Sequence, residues 1–240
     1  MDRVKLLGCE IDTYTFDGAV EKGLELIGED KVSQVVTINP EMIDCAGADV
    51  NFAEILKNAE MVIPDGVGVK IGLKILGYNV ERIAGIDFAK KLIEKCSEKN
   101  LPVALIGAKP EIVSQACEKL KEEYPSLNIV YSHDGYFKED DEVLNELKNS
   151  GARLVLVALG SPKQEFFINK ARNILPFGLM VGVGGSFDVW SGNVERAPEI
   201  FQKLGIEWLY RTVTQPERFK RIFPTLPLFV LKVVKEKFFG

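Results

Sequence analysis

Met61-Val-Ile-Pro-Asp-Gly-Val-Gly-Val69 decides how this chain folds. Met61 to Ile63 is apolar and partly β-branched, and Pro64 stops it, so it reads as a short buried strand. Asp65-Gly66 follows at once, and Val67 to Leu76 returns to helical spacing. Asp65 is thereby placed between the end of a strand and the start of a helix. In open α/β sheets that edge is where ligands bind. The same position suits a helix N-cap, in which a carboxylate accepts bonds from free backbone N–H groups. Both readings stand on this stretch alone.

The pattern repeats outward on both sides. On the N-terminal side, Val4–Leu7 and Glu10-Ile11 read as short strands, Asp17–Ile27 as a helix, and Gln34–Ile38 as a strand ended by Asn39-Pro40. Pro40 opens a helical stretch to about Asn58, broken near Gly47; Pro fits a first helical turn because its missing N–H has no partner there. On the C-terminal side, helices are expected at 87–99, 110–124, 141–149 and 163–174. Strands are expected at 102–106, 127–131, 154–159 and 179–183. Leu154–Leu159 is continuously apolar, as in a strand covered on both faces. Strict alternation of this kind predicts an α/β, Rossmann-like, mostly parallel sheet flanked by helices.

From about Arg196 the alternation stops. Residues 196–240 carry nine Lys/Arg against four Asp/Glu, a net of +5, so the first 195 carry −10 of the total −5. We therefore expect a catalytic domain over 1–195 and a basic, aromatic helical appendage over 196–240. The start of the chain lacks the pattern of a signal peptide, and charge interrupts every apolar run before the roughly 20 residues a span needs. Four separated cysteines without a CxxC fit buried thiols in a reducing cytoplasm. A single histidine, His133, rules out a histidine-rich metal site and reads as a turn residue.

Several strand ends carry polar or glycine-rich turns: Thr37-Ile-Asn39, Asp65-Gly66, Gly107-Ala-Lys109, Gly160-Ser-Pro-Lys-Gln164-Glu165 and Gly184-Gly185-Ser-Phe-Asp188. In a parallel sheet these ends converge. Glycine lets a ligand approach the backbone, and helix N-termini offer N–H donors to phosphate. A phosphorylated or nucleotide ligand is the physical expectation. There is no GxxxxGK[ST], no first-strand GxGxxG and no GxSxG, which excludes P-loop, dinucleotide and serine-hydrolase signatures. Each candidate has a plainer reading: Ser161-x-x-Gln164 as a capping box, Thr37 and Asn39 as turn chemistry, Arg82 as a surface charge. No nucleic-acid-binding motif accompanies the acidic body.

The set as a whole resembles the WecG/TagA/CpsF glycosyltransferase family, and within it the teichoic-acid branch. The residues that carry the resemblance are Thr37-Ile-Asn-Pro-Glu-Met42, Pro64-Asp-Gly-Val-Gly68, Arg82 with Gly85-Ile-Asp87, Gly107-Ala-Lys-Pro110, Leu159-Gly-Ser-Pro-Lys-Gln-Glu165, Gly182-Val-Gly-Gly-Ser-Phe-Asp188 with Arg196-Ala-Pro198, and Glu207-Trp-Leu-Tyr-Arg211 with Pro216-Glu-Arg218. The resemblance implies transfer of N-acetylmannosamine from UDP-ManNAc to the 4-hydroxyl of GlcNAc on undecaprenyl diphosphate, with inversion, to prime wall teichoic acid. A non-catalytic nucleotide-sugar sensor and a transferase of UDP-ManNAc uronic acid are the competing expectations.

In that setting Asp65 is the expected general base. Thr37 and Asn39 are placed to bind sugar or acceptor. Gln164, Glu165, Gly184 and Gly185 are placed to hold UDP, and Arg82 to offset diphosphate charge. No Asp-x-Asp pair stands at a strand end, so no metal cofactor is expected. Arg211, Arg218 and Arg221, interleaved with aromatics, are expected to meet anionic lipid or the acceptor pyrophosphate. The enzyme would sit peripherally on the inner face of the cytoplasmic membrane. A homo-oligomer is compatible with the same apolar tail.

Overall fold

The computed structural model describes residues 3–198, 201, 207, 210 and 216–239, with side chains described outside 216–225. A six-stranded, all-parallel sheet forms the centre, in the order β4-β3-β8-β7-β5-β6. Its strands are β3 (Val32–Ile38), β4 (Met61–Pro64), β5 (Val103–Gly107), β6 (Ile129–His133), β7 (Leu154–Ala158) and β8 (Gly178–Gly182). An antiparallel hairpin, β1 (Arg3–Leu6) and β2 (Cys9–Asp12), precedes it.

Alternating side chains of one strand serve opposite layers, which is why β7 is apolar throughout. Leu154, Leu156 and Ala158 join a core with α1 (Phe16–Gly28), α5 (Gly85–Glu98) and α6 (Pro110–Glu123). Val155 and Val157 face the other way, toward α7 (Asp140–Ser150) and α8 (Lys163–Ala171). A third core lies under β3 and β4. It gathers the hairpin with α2 (Pro40–Ala48), α3 (Val50–Lys57) and α4 (Gly66–Leu76). The break between α2 and α3 falls at Asp49 rather than Gly47, because the Asp49 carboxylate accepts from Asn51 and Phe52 N–H and starts a new helix.

After the short α9 (Ser186–Trp190), the last described helix is α10, Pro216–Phe239. It buries Phe229 and Val233 against Leu6, Val69 and Leu73. Lys232 pairs with Asp44 at 2.7 Å, and Glu236 accepts from Leu7 N–H at 3.0 Å. The opposite face of α10 leaves Leu228, Leu231, Phe238 and Phe239 exposed. Among the described residues no helix is long and apolar enough to cross a membrane.

Two polar clamps fix the β4 side of the sheet. Arg3 pairs with Asp12 at 2.9 Å and donates to the carbonyls of Ala59 and Glu60, while Asp12 accepts from Val62 N–H at 2.7 Å. Arg172, at the end of α8, holds Glu60 through both terminal nitrogens at 2.9 and 2.7 Å, and Glu60 also accepts from Gln34 N–H at 2.7 Å. Burial opposes ionisation of Glu60, but Arg172 and the Gln34 N–H outweigh it and hold the carboxyl below its ordinary value. A depressed folded value means stability that is present above the ordinary 4.5 and lost as pH falls below it. Replacing Glu60 by alanine strands Arg172 in a largely buried site and is expected to cost about 3 kcal/mol. Urea unfolding at pH 7 and pH 3.5 checks both points: the two chains should differ most at the higher pH, and the gap should narrow at the lower.

Candidate functional site

The carboxyl ends of β3, β4, β7 and β8 surround a cleft of about 510 Å³. It lies beside the β3–β8 junction, where the strand order reverses, as expected for an open α/β sheet. Asp65 lines it directly after β4. Its N–H donates to Ile38 O at 2.9 Å, so the residue continues the ladder in extended conformation, and its side chain makes no capping bond to α4. Gly66 then turns the chain with φ of +79°, a left-handed value that a side chain would strain. The helix-cap reading of Asp65 is therefore not the one realised.

Burial raises the Asp65 carboxyl from its ordinary 3.8 to about 6. Arg82 and the backbone N–H groups of Gly66 and Gly85 pull it down, and the charge of Glu207 adds to the rise. The result is a carboxylate that is ionised at neutral pH yet basic enough to accept a proton.

The other expected residues fall around it. Thr37 donates to Gly182 O at 3.2 Å and packs against Gly85, where an added Cβ would lie 2.8 Å from its Cγ2. Asn39 caps α2, its oxygen accepting from Met42 N–H at 3.1 Å, so its amide nitrogen is the end left for a ligand. Arg82, Gln164, Gly184 and Gly185 all line the cleft. Arg82 pairs with Glu207 at 3.2 Å.

Ser161-x-x-Gln164 does not form a capping box: Pro162, not Ser161, is the N-cap of α8, and the helix has no side-chain cap. Gln164 instead accepts from Gly184 N–H at 3.1 Å and donates to Glu165 Oε1 at 2.8 Å. Glu165 is 2% exposed and stands behind Gln164, outside the cleft lining. Burial raises its carboxyl, against the bonds from Gln164 and Ser161. It can act on a ligand only through the orientation it gives the Gln164 amide. The glycine of β8 is required here, since a Cβ on Gly182 would stand 2.4 Å from Gln164 Nε2.

The profile of the glycosyl transferase WecG/TagA/CpsF family matches residues 4–240. The chain belongs to that family. A relative from Bacillus spizizenii (strain W23), named N-acetylglucosaminyldiphosphoundecaprenol N-acetyl-beta-D-mannosaminyltransferase, is 38% identical over 212 residues, covering 88% of this chain and 82% of the relative. The protein of the same name from Bacillus subtilis (strain 168) is 36% identical over 211 residues, covering 87% and 82%.

Within this WecG/TagA/CpsF member, the structure adds residues to which sequence reasoning gave no role. Arg196 forms a two-pronged pair with Asp87, both contacts at 2.6 Å, and its Nε lies 3.7 Å from Glu207. Leu226 of α10 reaches the cleft rim beside Gly68 and Pro40. All of these but Leu226 stand in the motifs that carried the family resemblance, which was the available signal. Gly107-Ala-Lys109 lies away from the cleft lining. Trp190 packs on Phe187 in the core, while Trp208 and Arg211 lie outside the described residues. Arg218 and Arg221 lie in α10 at positions whose side chains are outside the described set.

Proposed function

We propose that this chain is an inverting transferase that moves N-acetylmannosamine from UDP-ManNAc to the 4-hydroxyl of GlcNAc on undecaprenyl diphosphate. The names of the two Bacillus relatives support the sugar and the acceptor. The observation that carries the chemistry is Asp65: a carboxyl on the cleft wall, not spent on a helix cap, with its proton affinity lifted to about 6.

In one displacement, Asp65 takes the proton of the acceptor hydroxyl as its oxygen attacks the anomeric carbon. The bond from that carbon to the UDP oxygen breaks, and UDP leaves with the electron pair. An α-linked donor gives a β-linked product. Arg82 and Gly185, with the start of α4, offer positive charge and N–H donors where the diphosphate gains charge, and Gly184, its own N–H held by Gln164, keeps that turn in place. The product is the disaccharide lipid that primes wall teichoic acid. This chemistry calls on no metal ion.

UDP release from UDP-ManNAc in EDTA tests this reading. Release should depend on a lipid-diphosphate-GlcNAc acceptor and vanish in Asp65→Asn. No release with or without acceptor, across a panel of UDP-sugars that includes the uronic acid and with Mg²⁺ added, would leave the cleft as a nucleotide sensor.

The lipid acceptor requires work at a membrane surface, peripheral and on the inner face. The exposed row Leu228, Leu231, Phe238 and Phe239 on α10, with Lys235 beside it, suits an interfacial anchor. Deleting the segment after 197 would uncover Leu6 and Val69, so substitutions on the outer face are the sharper probe. Leu231→Glu with Phe238→Glu is expected to weaken binding to anionic vesicles by about tenfold or more, by the loss of two buried apolar side chains. Sedimentation with phosphatidylglycerol vesicles reads this out, and unchanged binding would refute the anchor.

A further inference from the structure

Asp87, Arg196, Glu207, Arg82 and Asp65 form a line of alternating charge that ends in the cleft. Its middle member has two cationic neighbours of different kinds. Arg196 is held from behind by both oxygens of Asp87 at 2.6 Å. Arg82 lines the cleft, where a ligand can reach it. Glu207 is bound to the second, at 3.2 Å, and stands 3.7 Å from the first. The Arg196 Nε is buried and has no hydrogen-bond partner among the described residues. A buried, unpaired N–H is costly and seldom left so without a reason. The acceptor nearest it is the second oxygen of Glu207, held at ion-pair distance, 3.7 Å, while the first oxygen is bound to Arg82.

We infer that Glu207 is a positioning residue that stands in for a diphosphate at Arg82 and yields the arginine when a diphosphate arrives. In the free chain the Glu207 carboxylate neutralises Arg82 and keeps its guanidinium extended into the cleft. A diphosphate brings its own oxygens to Arg82. Glu207 is then released and closes the short gap to Arg196 Nε, which Asp87 keeps in place. Arg82 exchanges one anion for another, Arg196 gains the acceptor it lacks, and no charge is left unpaired in a site where both Arg82 and Glu207 side chains are at most 16% exposed. The exchange makes diphosphate binding weaker than a bare arginine would give and releases the product by the reverse step.

The inference rests on the reading of the cleft as a diphosphate site, and two probes separate the two. Calorimetric affinities of UDP and of inorganic pyrophosphate are measured for the full-length parent chain, Glu207→Gln and Arg196→Lys. Removing the competing charge in Glu207→Gln should tighten both probes by about 3- to 10-fold, the size of one partly screened ion pair. It should also move the acid limb of the activity profile to lower pH, since Glu207 raises the proton affinity of Asp65. Arg196→Lys removes the Nε that receives Glu207 and should weaken both probes by about 3-fold or more. A purely structural role would move both variants in the same direction. Unchanged or weaker binding in Glu207→Gln overturns the inference, as does unchanged binding in Arg196→Lys if the glutamine variant does not fold. If the parent binds pyrophosphate but not UDP, the UDP-sugar reading falls and the pyrophosphate comparison still decides the exchange. If it binds neither, both fall.

Discussion

Replacing Asp65 by asparagine is expected to lower kcat by about 10²- to 10⁴-fold, the usual worth of a positioned base, while raising the temperature at which the chain unfolds. The second half follows from the sign of the proton-affinity change. Folding lifts the Asp65 carboxyl from 3.8 to about 6, so between those values the folded chain binds the proton more readily than the unfolded chain. Stability therefore falls as pH rises through that window, and above it the full cost of holding a buried carboxylate remains. That cost is on the order of 1 to 3 kcal/mol at pH 7. Asparagine has nearly the same shape and no charge to bury. A melting point higher by about 2 to 6 °C is expected for a chain of this size, with the gain absent at pH 4. In the parent, kcat/KM should rise with pH and level off above about 6. Near-normal turnover in the variant would remove Asp65 from the chemistry, and a lower melting point at pH 7 would show that its carboxylate stabilises the fold.

The second large effect is structural. Gly107→Ala is expected to cost about 4 kcal/mol, combining backbone strain with overlap in a packed interior. Gly107 ends β5 with φ of +123°, and a Cβ there would stand 2.4 Å from Ala158 O and 2.5 Å from its carbonyl carbon. That carbonyl cannot retreat, because it accepts from Ala108 N–H at 3.0 Å, and the Ala108 carbonyl in turn accepts from Gly135 N–H at 2.8 Å. The midpoint of urea unfolding should drop sharply, with the slope unchanged if the unfolding remains two-state. A variant as stable as the parent would mean that β5 and β7 can separate at this point without loss.

The two sites mark what could be read before the fold was seen. The strand–helix alternation was legible because β7 and its neighbours are buried on both faces and carry uninterrupted apolar runs. The place of Asp65 was legible because Pro64 ends one element and the next begins immediately. Strand β6 is expected two residues early, since Leu127 is buried in the core from the loop ahead of the strand, while Ser132 and His133 are polar strand residues. Gly107 looked like a ligand-approach glycine, yet what approaches is the neighbouring strand. Gln164 had the spacing of a capping box, but the N–H of Gly184, twenty residues on, takes its oxygen. The charge line through Glu207 was invisible as a line because its partners are 109 and 125 residues apart in sequence. Local spacing encodes elements and their ends; pairings between distant loops exist only once the sheet has brought them together.

The clamp made by Arg3 and Asp12 has one more effect. Strand β4 is the border of the sheet, and a border strand normally offers a ladder of free amides on which a foreign strand can dock. Asp65 N–H points inward to Ile38, so by alternation the outward-pointing positions of β4 are 62 and 64. Val62 N–H is taken by Asp12, and residue 64 is a proline with none to give. The Pro64 carbonyl accepts from Ile83 N–H, and Arg3 covers those of Ala59 and Glu60. The margin nearest the cleft thus offers a foreign strand no free outward N–H from the described residues of β4, so the sheet is closed to extension on the side where Asp65 stands.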